Sequence, residues 1–267
     1  MRFFTMTNHR IKKQIVALGG GGFSMEPDVP LLDNYTLGLT GVERPRVCFV
    51  PTASGDAQWY IDKFYFVFRK ARAEASHLAL FQRKQTNLRD FLLGQQVIYI
   101  GGGNTANMLA IWRLHGVDRI LREAWEHGVI LTGLSAGMIC WFEGGVTDSF
   151  GPLAALNDGL GFLPGSACPH FDGESDRRPA YHAMVAKGQL LNGVAADDGV
   201  ALYYVGTELA GVVSSRAESG AYIVSRSVTG VSEVALDSRY LGPAVDNGAT
   251  THHQRQLTGD TGDTGDG

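Results

Sequence analysis

The chain is poor in cysteine, in charge and in long apolar runs. Its 267 residues include 3 cysteines. Cys48, Cys140 and Cys168 stand singly, with no Cys-x-x-Cys spacing, which excludes a dense disulfide framework and a zinc site of paired thiolates. They read as buried free thiols in a reducing compartment. Charged residues make up 19% of the chain and the net charge is -4, so there is no basic surplus to hold nucleic acid or an anionic membrane. No apolar run has the length needed to cross a bilayer. Residues 1–14 carry Arg2, Arg10, Lys12 and Lys13 but no apolar core of a signal peptide. The expectation is a cytoplasmic protein with neither a nucleic-acid nor a membrane partner; a homodimer is left open.

Hydrophobic residues make up 44% of the chain, and the length suits one large α/β domain with a sizeable core. Five short apolar runs lie at residues 15–18, 46–50, 76–81, 96–100 and 129–131, several closed by Gly or Pro. Continuous runs of this kind suit strands buried on both faces. Helical spacing fills the gaps between them. Ile61, Phe64, Tyr65 and Phe68 mark a helix over 57–74; others are expected over 104–114, with Asn104 or Thr105 as N-cap, and over 117–127. Strands alternating with helices predict a mostly parallel sheet covered on both faces. The Gly- and Pro-rich stretch 144–165 reads as loops over the sheet edge. A helix over 179–186 and a partly antiparallel run of strands at 199–205, 209–213 and 221–224 follow. The organisation expected is an extension at 1–13, one catalytic α/β domain at 14–240 and a tail at 241–267. Repeated Thr-Gly-Asp near the end offers nothing to bury, so the tail reads as disordered, with His252 and His253 solvated rather than metal-binding.

Gly133-Leu134-Ser135-Ala136-Gly137 directly follows the fifth apolar run, and residues 138–142 read as the start of a helix. A serine between two glycines at a sharp strand-to-helix turn has its hydroxyl thrust out of the sheet, and the helix start aims free N–H groups at the same place. Two more glycine turns, at 19–22 and 101–103, fall at the same carboxyl rim, where ligands bind in open α/β sheets. A serine nucleophile needs a base and a group to orient that base. Of the eight histidines, His170 stands out in Cys168-Pro169-His170-Phe171-Asp172-Gly173, where a strand leaves for a loop. The acid is open between Asp148, in Thr147-Asp148, and the Asp197-Asp198 turn before a late strand. The Ala136 N–H, with that of Gly102 or Gly103, would form an oxyanion hole.

Three other readings compete. An α/β-hydrolase shares the elbow, but its acid precedes its histidine, which would require Asp148. A glutamine amidotransferase would want cysteine where Ser135 stands. A nucleotide-binding module is suggested by Gly19-Gly20-Gly21-Gly22-Phe23-Ser24, yet the pattern ends in Ser24 and the second strand offers no ribose-binding acid.

Taken in order, Gly101-Gly102-Gly103-Asn104, Gly133-Leu134-Ser135-Ala136-Gly137, Thr147-Asp148, Pro169-His170-Phe171 and Asp197-Asp198 resemble the peptidase E family of aspartyl dipeptidases and, more distantly, cyanophycinase. The likeness spans residues 15–224. It implies a class I glutaminase-like, flavodoxin-like three-layer fold and a serine peptidase without metal or organic cofactor, acting on dipeptides with an N-terminal Asp through an acyl-enzyme. It implies Ser135 as nucleophile, His170 as base and an acid where relatives carry Glu and this chain has Asp198, with Asp148 as the alternative. An arginine after the histidine, Arg177 or Arg178, would read the substrate carboxylate through its planar fork. Asn104 falls in the same substrate-binding group. The acidic neighbours Asp172, Glu174 and Asp176 would weaken that anion site and broaden its range.

Overall fold

A computed structural model describes residues 12–71, 73–228 and 230–243. The expected extension and tail therefore lie almost wholly outside the described residues, as do His252 and His253. The five apolar runs become parallel strands β1 (Gln14–Leu18), β2 (Arg46–Val50), β3 (Glu74–His77), β4 (Val97–Ile100) and β5 (Ile130–Leu134), side by side in the order β1-β5-β4-β2-β3. Alternation along them divides the core in two. Val16, Leu18, Val47, Phe49, Val97 and Tyr99 join one cluster; Ile15, Ala17, Cys48, Val50, Ile98 and Ile100 join the other. A strand sends successive side chains to opposite faces, so a sheet that is apolar throughout needs cover on both.

One face is covered by α1 (Gly22–Met25), α2 (Leu31–Gly38) and α3 (Gln58–Lys70), the other by α4 (Leu88–Leu93), α5 (Thr105–His115) and α6 (Val117–Glu126). In α3, Ile61, Phe64 and Phe68 are buried as expected. Tyr65 is half-buried instead, with its hydroxyl 2.8 Å from His77 Nδ1. Asn104 caps α5 by accepting the Asn107 N–H at 2.8 Å, and Gly116, at φ 70, closes it.

Three expectations are corrected. The third strand stops at His77, because Asp56 Oδ2 accepts the Leu80 and Phe81 N–H groups at 2.6 and 2.7 Å; these amides are thus bound by a side chain, not by a sheet neighbour. The elbow helix α7 (Ala136–Ile139) lasts one turn, and by Phe142 the chain is already a strand. The stretch 144–165 is not loop over an edge. It takes in the end of β6 (Phe142–Thr147), the whole of β7 (Ala154–Leu156) and the start of β8 (Leu163–Cys168), which open a second sheet.

That sheet is completed by β9 (Gly193–Ala196), β12 (Ala221–Ser227) and β13 (Gly230–Leu236), in the order β13-β12-β9-β8-β6-β7. Helix α8 (Arg177–Ala186) packs on it through Tyr181 and Val185, beside Val146, Cys168 and Val224. Glycine is what disguises these strands. A Cβ at Gly145 would stand 2.5 Å from the Ala167 carbonyl oxygen, so side chains are excluded by close backbone approach within the sheet. β10 (Val200–Val205) returns antiparallel to β1, and β11 (Glu208–Ser214) and β14 (Arg239–Tyr240) extend the first sheet to eight strands. All three cysteines are buried and free. Among the described residues no helix is long and apolar enough to cross a membrane.

Candidate active site

The first sheet's parallel strands all end at one rim, and the elbow stands there. Ser135 has φ 56 and ψ -111, a conformation sparsely allowed for any residue with a Cβ. The turn is tight because Gly133 and Gly137 face each other across it. A Cβ on Gly133 would lie 2.8 Å from both the Gly137 and Ile100 carbonyl oxygens, and one on Gly137 would lie 2.5 Å from the latter. No substituted residue fits either place.

Ser135 is tied to the end of β1 by its N–H, which donates to Leu18 O at 3.2 Å. His170, two residues beyond β8, donates its own N–H to the next carbonyl along, Gly19 O, also at 3.2 Å. Nucleophile and base candidates from different sheets thus hang on consecutive carbonyls of one chain segment. His170 too has a positive φ, 54. The segment that receives them is fixed from below by Phe23, whose ring centroid lies 5.1 Å from that of Tyr99 and 5.2 Å from that of Phe49.

Asp198 Oδ1 lies 2.6 Å from His170 Nδ1, both side chains being largely buried. The carboxylate accepts the Nδ1–H, and Nε2 makes no hydrogen bond among the described residues. Burial by itself raises the Asp198 carboxyl, but the hydrogen bond and charge of His170, with Arg216 and Arg177 further off, outweigh it and hold the group below the ordinary carboxylate value. Its neighbour Asp197 goes the other way. Burial raises it against the Gly220 N–H that it accepts at 2.8 Å, and Asp172 raises it further. The two adjacent carboxyls thus shift in opposite directions, Asp198 toward its charged form. Asp148, the alternative acid, is exposed on the turn after β6, and its carboxylate makes no hydrogen bond among the described residues. Its neighbour Ser149 instead braces the start of α5, accepting the Ala106 N–H at 3.2 Å and, through its carbonyl, the Asn104 Nδ2–H at 3.0 Å.

The glycine turn after β4 lies against the elbow: a Cβ on Gly102 would be 3.4 Å from Ser135 Cβ. The Gly102 N–H is engaged, donating to the Tyr60 hydroxyl at 3.3 Å. The Gly103 N–H carries no such bond among the described residues, nor does that of Ala136 at the start of α7. These two are therefore the amides available to a developing oxyanion. Sequence reasoning missed Tyr60, whose distance from Gly102 in the chain gave no signal.

The expected substrate-binding residues are each engaged by other groups of the protein. Asn104 spends its side chain on the α5 cap and on Ser149. Arg177 is 3% exposed, with Nε 2.7 Å from Glu174 Oε2 and an Nη1 hydrogen bond to Val146 O at 3.2 Å. Arg178 pairs its fork with Glu233 and lies over the rings of Phe171 and Tyr222. His182 shares Glu233 at 2.8 Å.

A strained serine at a strand–helix elbow, with a carboxylate-paired imidazole hung on the adjacent carbonyl, fits the class of serine-nucleophile hydrolases on an α/β scaffold. The comparisons narrow that class. Residues 15–212 match the model of peptidase family S51, and the chain belongs to that family. It is 53% identical over 230 residues to "Uncharacterized peptidase YgaJ" of Bacillus subtilis (strain 168), covering 86% of this chain and 100% of that one. Two crystal structures share the fold at 18% identity. A peptidase from an acI-B1 Actinobacterium gives a TM-score of 0.59 over 86% of this chain and 96% of its own. A putative peptidase E protein from Listeria monocytogenes EGD-e gives 0.55 over 85% and 100%. The protein is a serine peptidase with a peptidase E-like fold.

Proposed function

We propose that the protein hydrolyses short peptides, foremost dipeptides opening with aspartate, through an acyl-enzyme on Ser135. Ser135 Oγ attacks the scissile carbonyl carbon. His170 Nε2 takes the hydroxyl proton and passes it to the leaving amine; water then repeats the sequence to free the acid. Asp198 fixes the imidazole tautomer and stabilises the imidazolium. The N–H groups of Ala136 and Gly103 receive the oxyanion, where loss of one donor costs about 10²–10³ in rate. The observation that carries this reading is the 2.6 Å hydrogen bond between His170 and Asp198, with the backbones of Ser135 and His170 held on the consecutive carbonyls of Leu18 and Gly19.

A broader dipeptide range is the second reading, and the arginines favour it. Arg177 reaches a substrate carboxylate only by giving up Glu174, and Arg178 only by giving up Glu233. A panel of Asp-, Glu-, Asn- and Ala-opening dipeptides, assayed with wild type and with Ser135→Ala, tests both levels. Selective cleavage of the Asp-opening member, abolished by S135A, is the expected result. Equal rates across the panel remove the aspartate preference and leave the serine chemistry. Full activity in folded S135A removes the mechanism.

A further inference from the structure

The turn that carries Asp198 is held amide by amide. Asp197 N–H donates to Gly220 O at 3.0 Å, Gly199 N–H to Gly20 O at 3.2 Å and Val200 N–H to Asp197 O at 3.2 Å. Three of these four consecutive amides thus rest on backbone carbonyls. The fourth, that of Asp198 itself, rests on a side chain: it donates to Asp172 Oδ1 at 2.7 Å. Buried or half-buried amides are almost always paired, so the identity of the partner matters.

Asp172 is anchored at the other end of the same hydrogen-bonded unit. It lies two residues after His170, in a turn closed by Glu174 N–H donating to His170 O at 3.2 Å and Phe171 N–H to Ala196 O at 3.2 Å. One carboxylate therefore links the backbone that presents the imidazole to the backbone that presents its acid. Its charge is also felt in the surroundings, raising both Asp197 and Arg216. The space around Asp198 is filled on its other sides. A Cβ on Gly20 would press on Oδ1 and one on Gly173 on Oδ2, so Asp198 has no slack to find another tether.

We propose that Asp172 is a positioning residue for the His170–Asp198 pair, setting the distance and angle between them through the Asp198 amide. The inference rests on the serine mechanism proposed above. It rests on one property of the side chain: an acceptor oxygen that holds the Asp198 amide at 2.7 Å.

Asp172→Asn keeps an acceptor oxygen and removes the charge; Asp172→Ala removes both. With the fastest-cleaved dipeptide, D172A is expected to lose kcat by about 10- to 100-fold with KM within about threefold, as befits a group that acts through another. D172N, which keeps the acceptor oxygen, is expected to keep kcat within about threefold. The low-field proton resonance of the His170 Nδ1–H should persist in D172N and be lost in D172A. Asp172→Ser, too short to reach the amide, replaces D172A if that variant does not fold, with the same loss expected. Wild-type kcat in D172A or D172S overturns the inference, as does an equal loss in D172N. S135A run alongside separates the levels. If S135A is active, the serine mechanism has failed; if S135A is dead and D172A is unimpaired, only the role of Asp172 has failed.

Discussion

Adding one methyl group at Gly20 should disable the enzyme without unfolding it. Gly20 has no positive φ, so alanine meets no backbone objection there. The methyl carbon would stand 3.0 Å from His170 Nδ1 and 3.0 Å from Asp198 Cγ, and closer still to Asp198 Oδ1. The carboxylate must swing away, and Gly173 blocks one direction of escape. What is lost is the hydrogen bond now 2.6 Å long. A charge-assisted bond of this kind is worth about 1.5–3 kcal/mol. At about 1.4 kcal/mol per decade, this is roughly a 10- to 150-fold loss of kcat. If the imidazole also takes the wrong tautomer, the loss approaches about 10⁴. Overpacking costs about 1–3 kcal/mol of stability, a fall in Tm on the order of 2–10 °C. Gly211→Ala is the matched control, because its new methyl enters open space. The assay is steady-state dipeptide hydrolysis, with thermal unfolding followed by circular dichroism. A Gly20→Ala protein with wild-type kcat would refute the claim that the His170–Asp198 contact serves the reaction.

Ser135→Gly should be inactive yet more stable than wild type by about 1–3 kcal/mol, because glycine relieves the strain stored at φ 56; equal or lower Tm would show that the elbow holds no strain. Asp33 should make stability fall as pH rises. Complete burial raises its carboxyl from 3.8 to about 7. Between those values the unfolded chain has released the proton and the folded chain has kept it, so unfolding gains as pH climbs from about 4 to about 7. Asp33→Asn cannot titrate, so its stability relative to wild type should increase across that interval; parallel curves in urea melts at pH 4.5 and 7.5 would contradict this.

The parallel half of the fold was legible because its strands fall in or beside short apolar runs, several ended by Gly or Pro, and because α3 keeps its buried residues at helical spacing. The elbow was legible because two glycines around a serine leave a local signature. Of the second sheet, only the strand begun at 221–224 was legible. Its strands need glycine where backbones approach closely, and a reader of sequence takes dense glycine for loop. His170 and Asp198 could be proposed from the chemistry they offer, but sequence order left Asp148 in contention; only the turn before β10 brings a carboxylate onto the imidazole. Arg177 and Arg178 illustrate the limit. Glu174, three residues before Arg177, hinted at its engagement, whereas Glu233 lies 55 residues from Arg178 and gave no local sign. Asp172 was noticed only as part of an acidic cluster, because its bond to the Asp198 amide exists in space alone.

Ser135 belongs to the first sheet, His170 follows the second, and Asp198 sits on the link between them. During synthesis the serine leaves the ribosome well ahead of its two helpers. On the proposed mechanism, a nascent chain that already carries Ser135 gains its base and its acid only when the later strands have docked and returned. The topology then ties the chemistry to the completion of folding.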